Sequence, residues 1–108
     1  MLKANNVGTP VDNGLETEII QWNADGNNYF LGFMATGDVP ATFRLKVTIP
    51  GATGPEVYYV FKTNVNQLTA YVVDRAKRFP ANTVISLTAY HTDADPQNFY
   101  ATLLGGNN

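Results

Sequence analysis

Along residues 41–49, "ATFRLKVTI", apolar and polar positions alternate without a break. Phe43, Leu45, Val47 and Ile49 fall on one side, and Thr42, Arg44, Lys46 and Thr48 on the other. Successive side chains of a β-strand point to opposite faces, so this pattern predicts a strand with one buried face. "PGATGP" (50–55) follows, and its two prolines and two glycines cannot continue a ladder. "EVYYVFKT" (56–63) is the return strand, which makes 41–63 an antiparallel hairpin.

Other segments repeat the theme. "LETEIIQW" (15–22) and "NYFLGFMAT" (28–36) flank "NADGNN", whose Asp25-Gly26 step suits a hairpin turn. "TVISLTAYH" (83–91) and "QNFYATLL" (97–104) flank "TDADP". Ile85, Leu87 and Ala89 share one side of the first, and Phe99, Ala101 and Leu103 one side of the second. "NQLTAYVVDRAKR" (66–78) is ambiguous: Leu68, Tyr71, Val72 and Arg75 recur at helical spacing, yet "TAYVV" is rich in β-formers. A short strand at 69–74 is the favoured reading. About seven strands separated by turn signals predict an all-β antiparallel β-sandwich, with jelly-roll and immunoglobulin-like connectivity both open.

A chain of 108 residues fits one domain. The strands predict a sandwich over 15–104, an extended N-terminal arm over 1–14 ("MLKANNVGTPVDNG") and a short tail, "GGNN", over 105–108. Composition agrees with a chain that turns often: twelve asparagines, nine glycines and six prolines supply positive φ, fixed φ and side-chain caps. A net charge of −2 provides no broad positive field, which argues against nucleic acid as a partner. With no cysteine, neither a disulfide nor a thiolate site can form. No apolar run approaches the ~20 residues of a helical membrane span, and the N-terminus lacks the hydrophobic region of a secretory signal.

Candidate chemistry centres on "AYHTDADPQN" (89–98), which contains the chain's one histidine. At two-residue spacing on a strand, His91, Asp93 and Asp95 would share a face, and such a mixed set suits zinc, manganese or iron. The Asp95-Pro96 step breaks a strand, however, and Asp caps turns without any metal, so a turn is the favoured reading. "NADGNN" lacks the glycine and glutamate positions of a calcium loop, and no G-x-S-x-G or phosphate-binding glycine loop occurs. Glu16 and Glu18 alternate with apolar neighbours, as on a solvated face. No catalytic residue, cofactor or metal is expected.

Contact residues are the better candidates. Trp22 and the six tyrosines are many for this length; Tyr90 and Tyr100 lie off the predicted core faces, and Tyr58-Tyr59 point oppositely on a strand. Tyrosine serves both protein interfaces and sugar stacking. "DRAKR" (74–78) gathers Arg75, Lys77 and Arg78, which suit an acidic partner surface or a solvated loop. Val7, Pro10 and Val11 are the contact candidates within the arm.

In style the chain resembles the small β-sandwich virion proteins of tailed bacteriophages, such as capsid decoration (cement) proteins and tail accessory modules. The features are a cysteine-free domain, the Asn/Gly/Pro-bearing arm at 1–14, Thr/Asn-rich strands, and "RFPANTVISLTAY" leading to "FYATLLGG". The resemblance implies a structural virion protein without catalysis, bound to a major capsid or tail protein and to copies of itself as a homo-oligomer, with no membrane or nucleic-acid partner. A carbohydrate-binding module, stacking sugars on Trp22 or surface tyrosines, is the alternative.

Overall fold

The computed structural model describes residues 2–63 and 68–107, with the side chains of Leu2, Asn6, Tyr58, Tyr59, Thr63, Asp74, Arg75 and Asn107 outside that description. The described residues form eight strands: β1 (Leu2–Val11), β2 (Thr17–Asn23), β3 (Asn28–Gly37), β4 (Ala41–Thr48), β5 (Glu56–Thr63), β6 (Thr69–Arg78), β7 (Val84–Tyr90) and β8 (Gln97–Asn107). They form two four-stranded antiparallel sheets, β1-β8-β3-β6 and β2-β7-β4-β5. Each strand pairs with the one equally distant from the other end of the chain: first with last, second with seventh, and inward to the β4–β5 hairpin. The additional pairs β3–β8 and β4–β7 complete the sheets. A long antiparallel ribbon rolled on itself gives this order, which is the jelly-roll form of the β-sandwich.

The alternation at 41–48 is realised residue for residue, with Ala41, Phe43, Leu45 and Val47 buried and the intervening positions half-buried. Ile49, just past the strand, is exposed. The inner faces meet in one core. Phe33, Ala35, Phe99, Ala101 and Leu103 come from the first sheet, and Trp22, Phe43, Leu45, Ile85 and Leu87 from the second. Phe43 and Phe99 pack edge to face across the layers, with centroids 5.8 Å apart at 82°, a favoured aromatic geometry.

Three expectations change. Residues 2–11, expected as an arm outside the sandwich, form edge strand β1 along β8, from Leu2 opposite Leu104 to Val11 opposite Gln97. A bulge between Asn5 and Thr9 breaks the period of two there, and an edge position tolerates Pro10, which has no N–H to donate. The expected tail is likewise continuous with β8, which runs to Asn107. "NADGNN" is not a hairpin turn, because β2 and β3 lie in different sheets. It is a corner: Asp25 caps the Asn27 N–H at 2.8 Å, Asn28 caps the Asp25 N–H at 3.0 Å, and Gly26 takes φ 93°. At the ambiguous 66–78 stretch, residues 66 and 67 lie outside the described residues, and from Thr69 the chain is a strand that continues to Arg78.

Two glycines are required by close approach. Gly32, at φ 151°, sits where β3 and β6 lose register, and a Cβ there would collide with the Tyr71 backbone carbonyl. Gly105 lets the Trp22 indole lie directly on β8, where any side chain would strike the ring.

Candidate functional site

His91 lies at the end of β7, buried to 2% exposure. Its Nε2 is 2.6 Å from the carbonyl oxygen of Val11, so Nε2–H donates there. Its Nδ1 accepts from the backbone N–H of Asp93 at 3.1 Å. Those two bonds define the neutral Nε2–H tautomer, with neither lone pair nor proton left for a ligand. Asp93 turns away: its Oδ2 accepts from Gln97 Nε2 at 2.7 Å and from the Asp95 N–H at 3.3 Å. Among the described residues no three acidic, histidine or cysteine side chains are grouped to hold a metal. The chain leaves the strand after Tyr90, so the shared face needed for three ligands never forms. The histidine instead pins the end of β1 to the β7–β8 corner, and its carbonyl oxygen accepts from the Gly14 N–H at 2.9 Å.

The contact candidates separate into different classes. Val11 is fully buried at 0% and belongs to the core, because its side of β1 faces inward once β1 joins the sheet. Val7, carried on the β1 bulge, is the most exposed large apolar residue described, at 77%. Pro10 is also exposed. Arg78 and Lys77 are exposed at the end of β6, where the Arg78 guanidinium lies over the Tyr29 ring at 5.9 Å. Arg75 is on β6, with its side chain outside the described residues, as are those of Tyr58 and Tyr59 on β5. Trp22 is buried at 1% against Phe30, which removes it as a sugar-stacking platform.

Tyr90 and Tyr100 each line a shallow surface depression, on opposite faces of the sandwich. Tyr90 stands with Pro40, Thr42, Lys62 and Thr92 on the β2-β7-β4-β5 face. Tyr100 stands with Asn5, Met34, Thr36, Leu68 and Thr102 on the other sheet. Alternation on β7 and β8 is the signal that placed both off the core.

The two outer faces differ in charge. On β2-β7-β4-β5, register sets Glu18, Thr88, Arg44 and Val60 in one outward row and Ser86, Lys46 and Val57 in the next. Glu16 closes over this face: its carboxylate takes Lys46 Nζ at 2.8 Å, Arg44 at 3.5 Å and the Thr88 hydroxyl at 2.7 Å. The Lys46 hydrogen bond chiefly holds the Glu16 carboxyl below its ordinary 4.5, against the opposing effect of partial burial, with Thr88 and the two cations adding to the lowering. A carboxyl lowered by folding contributes stability above its unfolded value that is lost as pH falls through the folded value. Acid titration of thermal stability should therefore show wild type losing more than Glu16→Gln below pH 4.5. The difference should be at most ~1 kcal/mol, since solvent screens this partly exposed group. Equal acid sensitivity of the two proteins would remove the carboxylate's role.

On β1-β8-β3-β6, register sets Ala4, Thr102, Met34 and Ala70 in one outward row and Leu104, Gly32 and Val72 in the next. Thr36 lies opposite Tyr100 one row further along. None of these residues is charged. Sequence reading missed this asymmetry, because it depends on which strands become neighbours.

No family model matches the chain, and no curated protein matches it. Among solved structures it is similar to the crystal structure of PirA, at 13% identity and a TM-score of 0.62, covering 90% of each chain. At that identity the likeness is one of fold, and it agrees with the two-sheet sandwich.

Proposed function

We propose that this chain is a non-enzymatic assembly protein, a virion component of the decoration or cement type that holds a major capsid or tail protein through a sheet surface. The observation that carries the reading is an uncharged stretch of the outer face of β1-β8-β3-β6, set apart from Arg78, which lies over Tyr29 at the far end of β6. Met34, Leu68, Val72 and Tyr100 are exposed at 36%, 62%, 64% and 37% around threonines and alanines. Covering such a face strips no ion of its water, and aromatic and methionine side chains are the types enriched at interface cores. The ion pairs of Glu16, by contrast, are confined to the opposite face. Engagement of both His91 nitrogens by backbone supports a structural role for that residue as well.

The test is co-sedimentation with purified capsid or tail particles. The wild-type chain should travel with them, and Met34→Glu with Tyr100→Glu should lower the bound fraction at least ~10-fold, as expected of central contact positions. Glu18→Gln, on the other face, should leave binding intact. Particle binding indifferent to the two glutamates, or Tyr100-dependent binding on a glycan array, would overturn the reading.

A further inference from the structure

An antiparallel sandwich has edge strands, and each exposes a row of backbone groups able to pair with another chain. Here the edges are β1 and β6 in one sheet and β2 and β5 in the other. All four have a register irregularity, and three add a proline or charged residues within the strand as devices against pairing. The β1 edge has Pro10, Lys3 and the bulge between Asn5 and Thr9. It is also tied to β2 by Asn5, whose Nδ2 donates to the Ile19 carbonyl at 2.9 Å. The β2 edge is bulged between Glu18 and Ile20, beside acidic Glu16 and Glu18. The β6 edge carries Asp74, Arg75, Lys77 and Arg78, and its register with β3 jumps from Val72 to Lys77.

The β5 edge differs. Between Glu56 and Lys62 runs "VYYVF", five uncharged residues of strong β preference. Val57 and Val60 are 47% and 50% exposed. A bulge opposite Leu45 and Lys46 sets Val57 across from Lys46 and Val60 across from Arg44. Arg44 and Lys46 are two apart on β4, so the two valines, three apart on β5, share the outer face.

From this edge we infer that the chain self-associates by antiparallel pairing of β5 with β5 of a second copy, about a two-fold axis between Tyr58 and Tyr59. That register places Val57 opposite Val60 of the second copy and Val60 opposite its Val57. The four valines then form one outer-face cluster, a self-complementary arrangement of the kind a two-fold interface demands. Shifting the two-fold onto Val60 sets it against itself and leaves Val57 of each copy opposite Thr63 of the other, breaking the valine match. The inference deepens the assembly reading by naming the edge and the partner, and main-chain bonds would supply the affinity.

The absence of cysteine allows the register to be read directly. Val57→Cys and Val60→Cys chains, mixed and gently oxidised, should cross-link to each other, because opposed residues fall within disulfide reach. Either variant alone should cross-link poorly, since each lies about three residues, ~10 Å along the strand, from its own copy. Sedimentation equilibrium from low to high micromolar should show dimer for wild type and at least ~10-fold less for Val60→Glu, whose carboxylate faces Arg44 of its own chain, with an unchanged thermal melt at concentrations where both are monomeric. Monomer at every concentration would overturn the inference, as would single variants that cross-link as well as the mixture. Particle binding measured with Met34→Glu and Tyr100→Glu is a separate readout, so failure of one does not imply failure of the other.

Discussion

Deletion of residues 1–12 should abolish cooperative folding. A dispensable arm would leave the sandwich intact, but β1 is hydrogen-bonded along β8 and carries Val11, which is fully buried in the core. Removing it exposes the inner side of β8 and forfeits ~1.5–3 kcal/mol for Val11 alone. It also leaves the His91 ring without the Val11 carbonyl it bonds at 2.6 Å, and an orphaned buried polar group costs about 1–3 kcal/mol more. Loss of Asn5 removes the tie to the Ile19 carbonyl that closes this side of the sandwich. With the β1–β8 ladder lost too, the sum approaches the whole stability of a small domain, about 5–15 kcal/mol. Circular dichroism during heating is the measurement: the truncated chain should show no cooperative transition. A truncated protein melting within a few degrees of wild type would show that β1 is an arm after all.

The reason β1 escapes a reading of the sequence is local. "LKANNVGTPV" has no period of two, because the bulge between Asn5 and Thr9 resets which side chains face inward. Its glycine and proline also read as breakers. Strands with an unbroken alternation were legible: the inward positions of β4, β7 and β8 are those that the pattern marks. Pairing was legible only for β4–β5, the consecutive pair of described strands that stays in one sheet. At "NADGNN" the same turn chemistry serves a corner between sheets, and local sequence does not distinguish the two. The uncharged stretch of the outer face is a further step removed. Met34, Thr102 and Ala4 become neighbours only through the β3–β8 and β1–β8 registers. For His91 the spacing to Asp93 and Asp95 was visible, but its actual partner, Val11, lies 80 residues away in the chain.

His91→Ala should cost about 3–4 kcal/mol, from the cavity left by the ring and the unbonded Val11 carbonyl together. The ring is buried at 2% exposure and packs against Phe99 with centroids 5.7 Å apart. His91→Leu separates the two contributions. It restores most of the volume but cannot donate, so it should recover part of the loss and remain about 1–2 kcal/mol below wild type. Chemical denaturation gives both values. The same melts with zinc or with a chelator distinguish a structural histidine from a metal ligand. A site that binds metal in the native state raises stability in proportion to the logarithm of ligand excess, whereas a ring whose two nitrogens already bond backbone has nothing to gain. Wild type should therefore melt identically in chelator and in zinc. A zinc-dependent rise that disappears in both His91→Ala and Asp93→Ala would restore the metal reading and displace the hydrogen-bonded one.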